Sequence, residues 1–591
     1  MSMNQWINVY GGIGPNKDRD RYKPGDDAVQ TYEGGTAYEK NLFEKIRDIV
    51  MLGIINGKFY EEPEEAMARI KEIWEEVIAK CEKDKEFADL IMRLLAYGRN
   101  QGGMKFQPVL GLVYLSTLPD KTYFKKAFFD VIKTPKDAHD FITLCRKSGI
   151  RGGAGRCIKA IFNRYFDKLS TYHARRYTGK LKEVAQVVRP KTEVEGSHKD
   201  QLLKYIVKGE ATLKEFQELE RVLSCLNNNI VDDDILETIS KYRFQLEELK
   251  SAFGNLNKEN LRKVYTHMIP GLSIMALMQN LETIAWVFSE GERMSYSERN
   301  KKFDYYIYEK NKITGVNEEV INPKYRPDCR HLTPEIITMV EKKLRDVEAY
   351  RRSRMLPFTP LIAAKMTSVP DWRDALMDMV AESTTTMFSP DVLKDLKIRI
   401  NIDTSGSMQG TKLTNNNQPK KKSLWPRSAE QRGPGIYANE LAGILGAAIY
   451  KNANKDSSIW AVATDYKQVP VKTLKPFELS KEIMKTDVGW GTYFEQTMKN
   501  YDGEDIYILI TDYEPADNLE KAWAITKRKP GSKLIIWHIV DYDHKASNRP
   551  DVYYFSGYSD KQMDVIRSII EDRGNQTELI KNYKLSCEAG E

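Results

Sequence analysis

Four short apolar runs, each ending in Asp, shape the C-terminal third of this chain: Lys397–Asp403, Ser458–Asp465, Ile506–Asp512 and Lys533–Asp541. They are rich in β-branched residues. Helical patterns lie between them at about 434–452, 479–486 and 517–527, with a last one at about 560–572. Strands alternating with helices build a doubly wound parallel sheet. Ligands of such sheets sit at the carboxyl ends of the strands, where these Asp residues fall. An α/β domain is therefore expected over 396–591.

Ahead of it the pattern is different. Leu42, Phe43, Ile46, Ile49 and Val50 form an apolar stripe at helical spacing, and Pro63 opens a second helix with Met67, Ile70, Trp74, Val77 and Ile78 on one face. Further helices are expected at about 84–97, 106–117, 121–132, 135–148 and 154–168, and the style continues to about 390 with few strands. Amphipathic helices of similar length in series predict an α-solenoid over 31–390, although no fixed sequence period is evident. The first 40 residues are polar and aperiodic, and an extended arm is expected over 1–30. At 591 residues, more than one domain is required.

Composition excludes several classes. Hydrophobic residues at 41% and charged residues at 30% describe a globular, water-soluble chain. No run approaches the roughly 18 consecutive apolar residues of a membrane span, and the polar N-terminus is no signal peptide. The six cysteines are scattered without a C-x-x-C pair, which predicts reduced, mostly buried thiols in a cytoplasmic protein.

Asp403-Thr404-Ser405-Gly406-Ser407 places three side-chain oxygens in one tight loop after the first strand, the ligation that hard cations such as Mg²⁺ prefer. Gly489-Trp490-Gly491-Thr492 offers another hydroxyl, and Thr511-Asp512 ends the third strand. Ser405, Ser407 and Thr492 could bind Mg²⁺ directly, with Asp403 and Asp512 holding waters. Neutral direct ligands would leave the ion electrophilic and one position open for a partner's acidic group. In order and placement these three pieces resemble a von Willebrand factor A domain with its metal-ion-dependent adhesion site. No phosphate-loop motif occurs in context. The polar insert 411–432, containing Lys420-Lys421-Lys422, reads as a surface loop or as a basic flap over the metal face.

The chain's net charge is only +7, yet residues 141–191 carry thirteen Lys/Arg against two acids. Arg151, Arg156 and Lys159 cluster around a Gly-rich turn, and Arg175, Arg176 and Lys180 follow among Tyr172, His173 and Tyr177. Cations neutralise phosphates and aromatic rings stack on unpaired bases, so this window is the expected polyanion surface.

Several strings occur in one order: Glu33-Gly34-Gly35-Thr36-Ala37-Tyr38, Gly196-Ser197-His198-Lys199-Asp200, Met268-Ile269-Pro270 with Ala276-Leu277-Met278-Gln279-Asn280-Leu281, and Ser353-Arg354-Met355-Leu356-Pro357-Phe358. Set before an A domain, they resemble the TROVE module of Ro ribonucleoproteins, in a prokaryotic or phage version. The resemblance implies a monomeric ring of HEAT-like repeats closed by the A domain. It implies noncoding Y RNA on the outer surface and single-stranded 3′ ends of misfolded or precursor structured RNAs in the central hole. It also implies RNA contacts at His198 and Lys199, and a 3′→5′ exoribonuclease partner such as polynucleotide phosphorylase. The segment 169–194 does not align clearly with the family, and Ala37 stands where an aromatic is usual.

The leading expectation is an RNA-binding scaffold without catalysis. A second is a helical adaptor whose A domain grips an acidic protein ligand through Mg²⁺. A third, a metal-dependent phosphohydrolase, lacks an evident general base; His538 and His544 near Asp541 and Asp543 read as capping or surface groups.

Overall fold

The backbone changes character where the sequence period changes. A computed structural model describes residues 28–52, 63–289, 306–310, 317–321, 332–353, 358–386, 393–411, 413, 436–540, 542–558 and 562–588. The sequence-predicted helices form as Leu42–Leu52, Pro63–Lys83, Lys85–Asn100, Phe106–Leu115, Thr122–Val131, Pro135–Lys147 and Arg156–Asp167, and helices continue to Pro370–Thr386. The Pro135–Lys147 helix shows why such boundaries are readable. Thr134 and Asp137 cap it reciprocally, and Pro135 occupies a first-turn position where no backbone donor is missed.

Apolar faces turn inward. Phe124, Phe128, Phe141 and Phe162 interlock in the first core, with Phe128 and Phe162 centroids 5.1 Å apart. A second core runs from Leu219 to Met379.

Six strands form the C-terminal sheet: β5 (Ile398–Asp403), β6 (Ser458–Val462), β7 (Tyr466–Gln468), β8 (Ile506–Thr511), β9 (Lys533–His538) and β11 (Val552–Ser556). Their order is β11-β9-β8-β5-β6-β7, parallel throughout except for β6 with β7. Every residue of β5 and β8 is buried, as central strands covered on both faces require. Chain order reverses between β5 and β8, so their carboxyl ends form the switch point of the sheet.

Seven strands fall outside the sequence reading: β1 (Ala28–Gln30), β2 (Thr36–Glu39), β3 (Tyr306–Lys310), β4 (Asn317–Ile321), β10 (His544–Lys545) and the edge strands β7 and β11. β1, β2 and β10 form a small sheet, with His544 opposite Glu39. β2, just past the expected arm, is thus ordered against β10 some five hundred residues away, and β1 at the end of the arm pairs with β2.

The helical segment meets the α/β domain at both of its ends. Arg69 pairs with Asp543 and Arg93 with Glu588, while Lys365 pairs with Glu440. The chain therefore closes on itself.

Most of the insert 411–432, including Lys420-Lys421-Lys422, lies outside the described residues, as do Cys329, Asp541 and residues 354–357 of the string before the metal domain. The five described cysteines are free thiols, and Cys587 is exposed rather than buried. No helix among the described residues is long and apolar enough to cross a membrane.

Candidate metal centre and nucleic-acid interface

The metal residues predicted from three separate stretches meet at the carboxyl ends of β5 and β8. Ser405 donates its backbone N–H to Asp403 Oδ1 at 2.9 Å, folding the loop over the strand end, and the Ser405 and Ser407 hydroxyls lie 3.2 Å apart. Thr511 on the neighbouring strand donates its hydroxyl to Asp403 Oδ2 at 2.5 Å. Gly406 N–H reaches the Trp490 carbonyl at 2.8 Å, which brings the Gly-rich loop alongside. Thr464 Oγ1 accepts the N–H groups of Trp490 and Gly491, at 3.1 and 2.8 Å. Gly489 is required here: its φ is +84°, and a Cβ would stand 2.7 Å from the Thr464 side chain.

Asp403, Ser405, Thr492 and Asp512 are fully buried, and Ser407 nearly so. Thr492 Oγ1 and both Asp512 carboxylate oxygens lack a well-formed hydrogen bond, although the Ser407 hydroxyl stands close enough to favour the Asp512 charge. A buried polar group left unpaired costs about 1–3 kcal/mol, and a charged one more. Burial pushes the Asp512 carboxyl well above its usual range, and Asp403, Glu514 and Glu33 push it further. Burial likewise raises Asp403, to about 6. Oxygen-only donors, orphaned acceptors and converging negative charge fit a hard divalent cation. No three His, Cys, Asp or Glu side chains among the described residues form a metal cluster by themselves.

Glu33 and Glu514 are site-facing residues that motif reading missed. Glu514 is buried, pairs with His544 Nδ1 at 3.1 Å and accepts the Tyr32 N–H at 2.9 Å. Glu33 Oε2 accepts the Thr492 N–H at 3.3 Å. Glu514 could have been suspected from its place two residues after Asp512, whereas nothing local links Glu33 to residue 492.

The basic window divides into outward and inward cations. The Arg156–Asp167 helix buries Ile158, Ile161, Phe162, Tyr165 and Phe166, which turns Arg156, Lys159, Arg164 and Lys168 to solvent. His198, first residue of the helix His198–Leu203, is exposed and follows the Ser197 cap. Lys199 ties these two helices together, with its ammonium 2.8 Å from Asp167 and 2.9 Å from Asn163 Oδ1. His198 is thereby held beside the exposed face of the first helix. Burial, then the neighbouring Lys136, lowers the half-buried Lys180 amine.

Two expected contacts need correction. Arg175 is buried, paired with Glu248 at 3.0 Å and Glu215 at 3.2 Å, and stacked on Phe244. It holds helices together and does not face solvent. Arg151 is half-buried, its guanidinium donating to the Ser116 carbonyl and hydroxyl at 2.6 and 2.7 Å and to the Gly153 carbonyl. It fastens the Gly-rich turn. Arg176 is half-buried and committed to Glu247 and Tyr172, so much of the aromatic interleaving serves internal cation–π contacts.

No protein-family model matches this chain, and no curated protein does. Among solved structures, the Ro (RSR) protein of Deinococcus radiodurans superposes with a TM-score of 0.53 at 15% identity, over 90% of this chain and 100% of that one. The chain has the Ro fold. The likeness runs through both the helical segment and the α/β domain. The Ro fold therefore accounts for the order of the two parts and for the closure between them, while the metal and basic residues rest on the geometry above.

Proposed function

We propose that this protein is an RNA-binding scaffold without catalysis of its own. It binds noncoding Y RNA and structured or misfolded RNAs with single-stranded 3′ ends, and it acts in their quality control, maturation or decay alongside a 3′→5′ exoribonuclease such as polynucleotide phosphorylase. The observation that carries this reading is the exposed cationic face of Arg156, Lys159 and His198 on a full-length Ro fold. Phosphate neutralisation on that face supplies affinity, and a narrow opening in a closed monomeric ring would select free ends by shape.

Replacing Arg156, Lys159 and His198 together by Ala is expected to weaken binding of a tailed structured RNA. The slope of log affinity against log salt should also flatten, by about 0.7–0.9 for each phosphate no longer neutralised. Filter binding across a salt series reads both. An unchanged slope would remove this face from the interface. Sequencing the RNAs that copurify with the protein from its host tests the substrate class, and the absence of any enriched noncoding RNA would favour the adaptor.

The metal site has a separate role in this reading. When bound, Mg²⁺ would supply a Lewis-acidic position that holds a carboxylate. Ser405, Ser407 and Thr492 would ligate the ion, and Asp403 and Asp512 would orient its waters. Asp403→Ala is expected to abolish Mg²⁺ binding in calorimetry while leaving RNA affinity within about twofold. The adaptor reading keeps its place because of this site: a partner's acidic side chain is the natural ligand for such an ion.

A further inference from the structure

The loop between β1 and β2 is pressed into the metal face. Thr31 Oγ1 and the Gly35 N–H both donate to the Pro515 carbonyl, at 2.5 and 3.1 Å, and the Thr36 N–H donates to the Asp517 carbonyl at 3.0 Å. Gly35 has no alternative, since a Cβ there would lie 2.2 Å from the Pro515 oxygen. The Tyr32 N–H is held by Glu514 at 2.9 Å. These contacts fix the turn on both sides of Glu33 and aim its carboxylate at Thr492. That residue's N–H it accepts at 3.3 Å, while the same residue's hydroxyl is buried and without a hydrogen-bond partner.

We propose that Glu33 is the carboxylate that completes the metal site from within the same chain, taking the position that a partner's acid would otherwise fill. The inference rests on the metal reading above and adds its missing ligand. In this arrangement Asp403 and Asp512 act through water while Glu33 binds directly. The ion then bridges the Thr31–Thr36 turn and the carboxyl ends of β5 and β8. Cation binding clamps the start of the described chain onto the α/β domain, and an acidic ligand from another molecule must displace Glu33 to bind.

Full-length protein and the variants Glu33→Gln and Asp403→Ala test this with Mn²⁺ as the probe, followed by calorimetry and electron paramagnetic resonance. Glutamine keeps the shape and the acceptor for the Thr492 N–H, so the turn stays seated and only the charge is lost. Mn²⁺ affinity should fall about tenfold or more in Glu33→Gln and vanish in Asp403→Ala. Hydrogen exchange adds a second readout: Mn²⁺ should slow exchange at the amides of residues 31–36 in the wild type but not in Glu33→Gln. Equal Mn²⁺ affinity in wild type and Glu33→Gln overturns the Glu33 assignment and leaves the metal site standing, provided Asp403→Ala loses binding. Absence of Mn²⁺ binding by the wild type overturns both.

Discussion

Replacing Arg175 by Ala is expected to destabilise the helical part of the chain by about 3–5 kcal/mol, the cost of leaving a buried charge without its partner. Arg175 is 6% exposed, and it joins Glu248 and Glu215 through ion pairs, the Tyr242 carbonyl through a hydrogen bond, and Phe244 through its ring face. Truncation leaves Glu248 inside with the Gln245 N–H, a bond of 2.7 Å, and the more distant Arg176 to stabilise its charge. Burial already raises the Glu248 carboxyl above its ordinary value. A carboxyl with a raised folded value binds protons more readily in the folded state, so its unfavourable contribution grows as pH rises through that value and fades below the unfolded one. The Arg175→Ala defect should therefore be largest near neutral pH and shrink on acidification. Thermal unfolding of wild type and variant between about pH 8 and about pH 5 measures this. A first transition unmoved at neutral pH would show that the pair contributes nothing net. Because a chain of more than one domain need not unfold in a single step, the helical transition must be followed by itself.

This same residue shows where sequence reasoning reaches its limit. Arg175, Arg176 and Lys180 look like three equivalent cations in a basic run. Only the packing of the 171–176 helix against Glu248 and Phe244 makes the first an internal strut. Side-chain direction depends on neighbours supplied by a segment some seventy residues on, and charge density carries no information about it. In the Arg156–Asp167 helix, by contrast, direction was legible. Apolar residues recur there at three- and four-residue intervals, so Arg156 and Lys159 had to point outward.

The α/β domain was readable for a related reason. Helices cover both faces of these central strands: β8 is an apolar run, β5 alternates isoleucines with the buried Arg399 and Asn401, and each ends in the residues that make the metal face. The edge strand β11 (Val552-Tyr553-Tyr554-Phe555-Ser556) is half covered and hides its period behind aromatics. β1, β2 and β10 are two to four residues long and exist only because the chain closes on itself. Hydroxyl and Asp spacing pointed to the metal loop. Glu33 could not be found that way, because its relation to Thr492 is created by the closure and not by any local pattern.

That closure has its own buried electrostatic latch, and Asp48→Asn should open it at a cost of about 3–5 kcal/mol. Asp48 lies on the Leu42–Leu52 helix and is buried against the sheet of the α/β domain. Its carboxylate is 2.8 Å from the Lys40 ammonium and 2.7 Å from the Arg47 guanidinium, and it accepts the Ser556 hydroxyl at 2.6 Å. Lys40 also donates to the Tyr542 carbonyl, and His538 lies close by without a charge of its own, since burial and then Lys40 hold its imidazole far below the usual value. Burial pushes the Asp48 carboxyl up, but Arg47 and Lys40 more than reverse this and hold it well below the carboxylate range. A depressed carboxyl stabilises the fold above its unfolded value and loses that contribution only as pH falls through the folded one. At neutral pH the contribution is therefore fully present, and Asn removes it while leaving two buried cations facing each other. Asp48→Asn should lower the melting temperature at neutral pH and lose the gap from wild type in strong acid. Because the latch joins Lys40, the residue after β2, to Tyr542 and Ser556, hydrogen exchange should quicken together at the amides of β1, β2 and β10. Faster exchange confined to the Leu42–Leu52 helix would mean that Asp48 stabilises its own helix and that β1 and β2 are held by the Thr31–Thr36 contacts and the pairing with β10.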